Sequence, residues 1–236
     1  MVLTYLEILA RLKEINELRY VKTHRSGDTG IGKTLEDLLG IEENNIPSAN
    51  GHLIELKSGR KNATSMITLF TKSPLPERAN TVILNRYGYP SKKDPGKKSL
   101  HYTIHSTSFY NLKGKPTLKI DVKTDKIELV NTEGEALGYW TKDVLKESFE
   151  RKLPHVMYVK ADTRGKGKTE EFWFNEVWLL SGFDFENFLE LISHDHILTD
   201  VRIGQFPNGK PHDHGTGFRV LPAKLELCFK DRTRMI

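Results

Sequence analysis

Apolar residues recur near the start of the chain at Leu3, Leu6, Leu9, Leu12, Ile15 and Leu18, with charged residues between them. That spacing predicts an amphipathic helix from Leu3 to Leu18. A second helix is expected from about Gly32 to Leu39, stopping at Gly40. The period then changes. Ile54 and Leu56 alternate with Glu55 and Lys57, which predicts a strand over 52–58 with one apolar face and one face carrying a carboxylate and an ammonium. Met66–Thr71 reads as a second strand, expected to pair antiparallel with the first across the short basic turn Arg60-Lys61-Asn62. Further strands are expected at Leu100–Ile104, Thr117–Val122, Lys126–Val130, Val156–Lys160 and Ile197–Gly204, and helices at Asp143–Lys152 and Phe183–Ile192. The run Phe172–Leu180 is so continuously apolar that it predicts a buried central strand rather than a platform for stacked bases.

Composition narrows the class only modestly. At 236 residues, 37% apolar and 28% charged, the chain reads as a folded soluble protein, one large domain or one domain with a lobe. The net charge of +5, from 36 basic and 31 acidic residues, leans mildly towards an acidic partner. Cys228, the one cysteine, excludes an internal disulfide. Set among Leu225, Leu227 and Phe229, it reads as a buried inert thiol. No apolar run has the length of a membrane span or the form of a signal peptide, so a cytoplasmic location is expected.

Candidate chemistry sits in four places. Glu55 and Lys57 share a strand face, a pairing suited to phosphodiester hydrolysis: the carboxylate holds a divalent cation and the lysine orients water or balances phosphate charge. Gly27–Thr34 matches G-x-x-x-x-G-K-T, but the preceding Tyr20–Arg25 is polar and no answering apolar strand ends in aspartate, which argues against a nucleotide P-loop. Its backbone amides with Lys33 and Thr34 could instead receive DNA phosphates. The segment 90–98, with Lys92, Lys93, Lys97 and Lys98, reads as a basic loop, either simply solvated or phosphate-tracking. His212-Asp213-His214 raises a zinc reading, yet no further ligands stand at metal-site spacing. Polar side chains offered by a hairpin to base edges, with Arg202 and Arg219, fit better.

Taken together, Thr29–Leu39, Ile54-Glu55-Leu56-Lys57, Leu69–Pro74, Asn85-Arg86-Tyr87-Gly88, Arg202-Ile203-Gly204 and His212–Gly215 resemble the MvaI/BcnI group of type II restriction endonucleases, relatives of the nicking enzyme MutH. The MvaI branch is the nearer of the two. The resemblance runs in matching order from about residue 20 to 220. It implies an α/β (α+β) fold of the PD-(D/E)xK kind, a mixed sheet flanked by helices and bilobal around double-stranded DNA, with a catalytic lobe expected over about 1–90 and a recognition lobe mostly over about 91–236. It also implies a Mg2+-dependent monomer that nicks one strand at a time at short CC-N-GG-like sites, accompanied in its system by a cognate DNA methyltransferase. Carried over, Glu55 is a metal ligand, Lys57 the motif lysine and Glu36 a supporting acid. Lys33, Thr34, Arg60, Lys72, Arg86, Arg202, His212, Asp213, His214 and Arg219 are the expected DNA contacts.

One position departs from the pattern. Asn50 stands where the resembling family has its first acid, five residues before the glutamate. An amide oxygen replaces a formal charge where a hard cation needs it, so the chain is expected to bind DNA and cut it poorly. An engineered inactivation and a natural degenerate subunit would both produce this. The alternatives are a non-cleaving DNA-binding module, one strand-specific subunit of a two-chain endonuclease and, more remotely, a P-loop nucleotide hydrolase.

Overall fold

The computed structural model describes residues 5–41, 54–92, 94–153, 155–206, 208–213 and 215–236. Asn50 and His214 therefore lie outside the described residues, as do Pro47-Ser48-Ala49 and Lys93. The chain forms two compact units. One comprises Met1–Ser65, Glu150–Asp184 and Leu225–Ile236, the other Met66–Phe149 and Phe185–Lys224. Each unit thus draws on separated stretches, where the sequence suggested one boundary near residue 90.

In the first unit the sheet order is Val21–Lys22, Glu171–Ser181, His155–Arg164 and Glu55–Arg60, with Asp231–Arg234 also pairing with Glu171–Ser181. Glu55–Arg60 runs parallel to His155–Arg164, with Lys57 opposite Tyr158. The other pairs are antiparallel. The expected hairpin between this strand and the next does not form, because Ile67–Thr71 pairs with Gly217–Val220 in the other unit. The reason is local. The intervening segment has no two-residue turn signal, and it stays tied to its parallel neighbour: the Lys61 amide donates to the Ala161 carbonyl at 3.0 Å.

Helices α1 (Tyr5–Glu17) and α2 (Gly30–Leu39) cover one face of this sheet. Ile8, Leu12, Ile15, Ile31, Leu35 and Leu39 pack there with Ile54, Met157, Val159, Phe172, Phe174 and Val177. The strict three-residue spacing read in α1 is not the buried stripe. Three residues turn a helix by only about 300°, so such a series walks around the axis. Leu6 and Leu18 end up 72% and 56% exposed, while Ile8 is buried with Leu12 and Ile15 at the i, i+4, i+7 spacing of a true face. The amides of Gly40 and Ile41 close α2 on the carbonyls of Asp37 and Glu36. Phe172–Leu180 behaves as expected, lying within Glu171–Ser181 with neighbours on both sides.

The second unit holds helices α3 (Ala79–Tyr87), the first turns of α4 (Lys142–Lys152), and α5 (Phe185–Ser193). Its larger sheet has the order Ile67–Thr71, Gly217–Val220, Ile197–Gln205, Lys98–Ile104 and Tyr89–Pro90, and Pro211–Asp213 pairs with Ile197–Gln205. A three-stranded sheet adds Ala136–Thr141, Lys126–Asn131 and Leu118–Val122. Phe70, Phe188 and Phe218 meet with ring centroids 5.1–5.5 Å apart. Buried Trp140 donates its indole N–H to the Lys72 carbonyl at 2.8 Å. Neither α3 nor Ala136–Thr141 was anticipated: Asn80, Thr81, Val82 and Asn85 are weak helix formers, and packing decides.

Candidate active site

Alternation along Glu55–Arg60 sorts its side chains onto two faces. Ile54 and Leu56 join the core under α1 and α2, so Glu55, Lys57 and Gly59 face the other way. Glu55 is buried at 7% exposure. Its Oε1 accepts from Lys57 Nζ at 3.3 Å and from Lys152 Nζ at 3.2 Å. Among the described residues neither bond reaches Oε2. Burial pushes the Lys57 ammonium below its usual pKa; the Glu55 charge opposes this and the Lys152 charge adds to it. Among the described residues one carboxylate and two ammoniums thus meet on this largely buried face.

The neighbouring strands extend this face. Gly59 is required by a close approach: a Cβ there would lie 2.5 Å from the Tyr158 hydroxyl. Burial first, then the Glu176 charge, pushes the Tyr158 phenol up to about 12. Glu176 accepts from Lys160 Nζ at 2.8 Å and Trp178 Nε1 at 2.6 Å on Oε1, with Lys61 Nζ 3.6 Å from Oε2. Burial alone would raise the Glu176 carboxyl, but the Lys160 and Trp178 hydrogen bonds and the two lysine charges hold it at about 2.

Helix α2 carries Glu36, half-buried, on the opposite face of the sheet from Glu55 and Lys57. The glycine-rich loop before it is spent on its own architecture. A Cβ on Gly30 would sit 2.1 Å from the Arg25 carbonyl oxygen. Thr34 is fully buried, donating to the Gly30 carbonyl and accepting from the His24 amide. It is therefore unavailable to a phosphate, whether of a nucleotide or of DNA. Lys33 pairs with Asp37 at 2.9 Å. Arg60, expected on DNA, clasps Glu170 through Nε at 2.7 Å and Nη2 at 2.8 Å and reaches the carbonyls of Gly27 and Asp28. It is a strut for the loop.

A model of the MvaI/BcnI restriction endonuclease family matches residues 9–229. The chain belongs to that family. Solved structures similar to it include two of restriction endonuclease MvaI. Restriction endonuclease MvaI in complex with its cognate DNA substrate has 29% identity and a TM-score of 0.85, over 97% of each chain. MvaI in the absence of DNA has 29% identity and a TM-score of 0.59, over 100% of this chain and 99% of the other. No curated protein matches. Family and fold support a DNA hydrolase with site-specific endonuclease activity. Among the described residues no helix is long and apolar enough to cross a membrane.

Restriction endonucleases of this kind generally use a divalent metal. The donor chemistry around Glu55 fits a hard cation, because it offers a buried carboxylate whose Oε2 is unclaimed by the described residues. No group of three or more His, Cys, Asp or Glu among the described residues could hold a metal alone, so further oxygens would have to come from elsewhere, Asn50 included. Sequence reasoning missed Lys152. Ninety-seven positions from Glu55, it is invisible to any motif, although a basic residue in the last turn of a helix is a recognisable signal.

The family's expected DNA contacts in the second unit divide into exposed and committed groups. Asp200, 4% exposed, takes Arg202 Nη2 and Arg219 Nη1 on one oxygen, each at 2.7 Å, and Thr103 on the other at 2.9 Å. Arg202 is half-exposed, whereas Arg219 is mostly buried and also donates to the Met66 carbonyl. Asp213 accepts from Ser73, from Asn80 and from the Gly215 amide. His212 packs against Phe206 with centroids 4.3 Å apart. Arg86 pairs with Glu135 at 2.5 Å, and half-buried Lys72 contributes its backbone carbonyl to Trp140.

Proposed function

We propose that the chain is a type II endonuclease that hydrolyses phosphodiester bonds in duplex DNA, with Glu55 and Lys57 at its catalytic centre. The observation that carries this is their shared, buried strand face in a chain of this family; the resemblance to MvaI bound to its cognate DNA supports duplex DNA as substrate. The first unit is the catalytic lobe and the second the recognition lobe. Arg202, His212, Asp213 and His214 are assigned to base reading, Arg219 buttresses Arg202 through the shared Asp200, and Lys72, Lys33 and Arg86 contact the backbone. The enzyme works as a monomer that nicks one strand at a time at a CC-N-GG-like site.

The metal would be magnesium, with Glu55 and the neutral oxygen of Asn50 as the residues that would hold it, and when bound it would supply Lewis-acid chemistry at the scissile phosphate. Lys57, with its proton loosened by burial, orients the attacking water and exchanges a proton at Nζ. Replacement of a charged ligand by Asn50 weakens the site, and cleavage by this chain is slow or absent. Supercoiled plasmid with magnesium tests the assignment. The Asn50→Asp protein should nick it and the unaltered chain should nick it poorly; an inert Asn50→Asp protein beside an active unaltered chain would overturn the role given to this position.

A further inference from the structure

We propose that Lys152 is a resident counter-ion of the active site, competing with the divalent metal for Glu55 and transferring to a phosphate oxygen when the metal enters. The inference rests on the reading of Glu55 as a metal ligand. Lys57, two residues away on the same strand, already satisfies Glu55 Oε1. Lys152 arrives from a different element and takes the same oxygen at 3.2 Å, with its side chain 23% exposed.

A second ammonium on a paired carboxylate gains little from that carboxylate and is partly stripped of water, a costly arrangement unless another anion arrives. The last turn of α4, which also carries Arg151, tolerates the charge because helix carbonyls point outward there. A dication bound to Glu55 would repel this ammonium at close range. The lysine stem is long and freely rotating, and the ammonium is a compact donor, so it can leave the carboxylate for the anionic backbone of the substrate. Lys152 thus keeps Glu55 paired while the metal is absent and adds a phosphate contact when both metal and DNA are present.

Manganese binding to the Asn50→Asp protein without DNA, followed by calorimetry, tests the competition. Lys152→Met keeps the apolar stem and removes the charge, and should tighten Mn2+ binding by about tenfold, a typical size for changes beside a metal ligand. Lys152→Arg should leave it near the starting value. Unchanged or weaker binding in a Lys152→Met protein that melts normally overturns the proposal. Glu55→Gln separates the two levels: retained Mn2+ affinity there, or no binding at all to the Asn50→Asp protein, overturns the metal-ligand reading itself. Should Lys152→Met fail to fold, amine-reactive labelling of Lys152 in the Asn50→Asp protein gives the answer. Labelling should rise on addition of Mn2+, and constant labelling would overturn the competition.

Discussion

Glu55 and Glu176 lie on the same face of the same sheet, one buried and one partly buried, and each is approached by two lysines, yet they are chemically unlike. Glu176 has partners on both oxygens, two lysines and the Trp178 indole, and its carboxyl is held at about 2. Glu55 takes both of its ammoniums on Oε1, and among the described residues the other oxygen is left for a cation. An acid and a lysine on one strand therefore do not define a catalytic site. What defines it is which lone pairs the fold leaves unspent. Asp200 in the other unit repeats the spent arrangement with arginines: Arg202 and Arg219 share one oxygen and Thr103 takes the other.

Removing each carboxylate system should separate these roles, and the largest effect falls on chemistry. Glu55→Gln in the Asn50→Asp protein should lower nicking per folded molecule by at least ~10³-fold, about 4 kcal/mol of activation free energy. Survival of nicking would place the catalytic carboxylate elsewhere. Arg219→Ala comes next and acts on stability. It leaves buried Asp200 with a half-exposed arginine as its one cation, at a cost of about 3 kcal/mol in denaturant unfolding. Arg202→Ala should cost far less, and equal losses would erase the distinction between strut and reader.

Glu176→Gln should destabilise by about 2 kcal/mol at neutral pH without altering nicking per folded molecule. The sign follows from the depressed carboxyl. The contribution is complete above the ordinary value of 4.5 and is lost as pH falls through about 2, so the melting temperatures of variant and unaltered protein should converge across that window. A constant difference would show that Glu176 acts by shape rather than charge.

Most helices and strands were legible because their periodicities are local. Glu55 and Lys57 were legible because alternation puts them on one face whatever the strand pairs with. The parallel partner of that strand was not, since a short basic turn looked like a hairpin and only the distant His155–Arg164 shows otherwise. The internal bonds of Thr34 and Arg60 were not legible for a related reason. A glycine-rich basic loop presents the same letters whether it receives phosphate or bonds to itself, and the commitment of Thr34 to Gly30 and of Arg60 to Glu170 is visible only in three dimensions.

By itself, then, the sequence determined the family, the order of most elements and the strand that carries the chemistry, because these depend on neighbours along the chain. The tertiary structure decided which charged groups remain available. Lys152 reaches Glu55 across ninety-seven positions, while Lys160 and Lys61 close Glu176. A carboxylate's reactivity depends on the donors and dielectric around it, and those come from segments that only folding brings together.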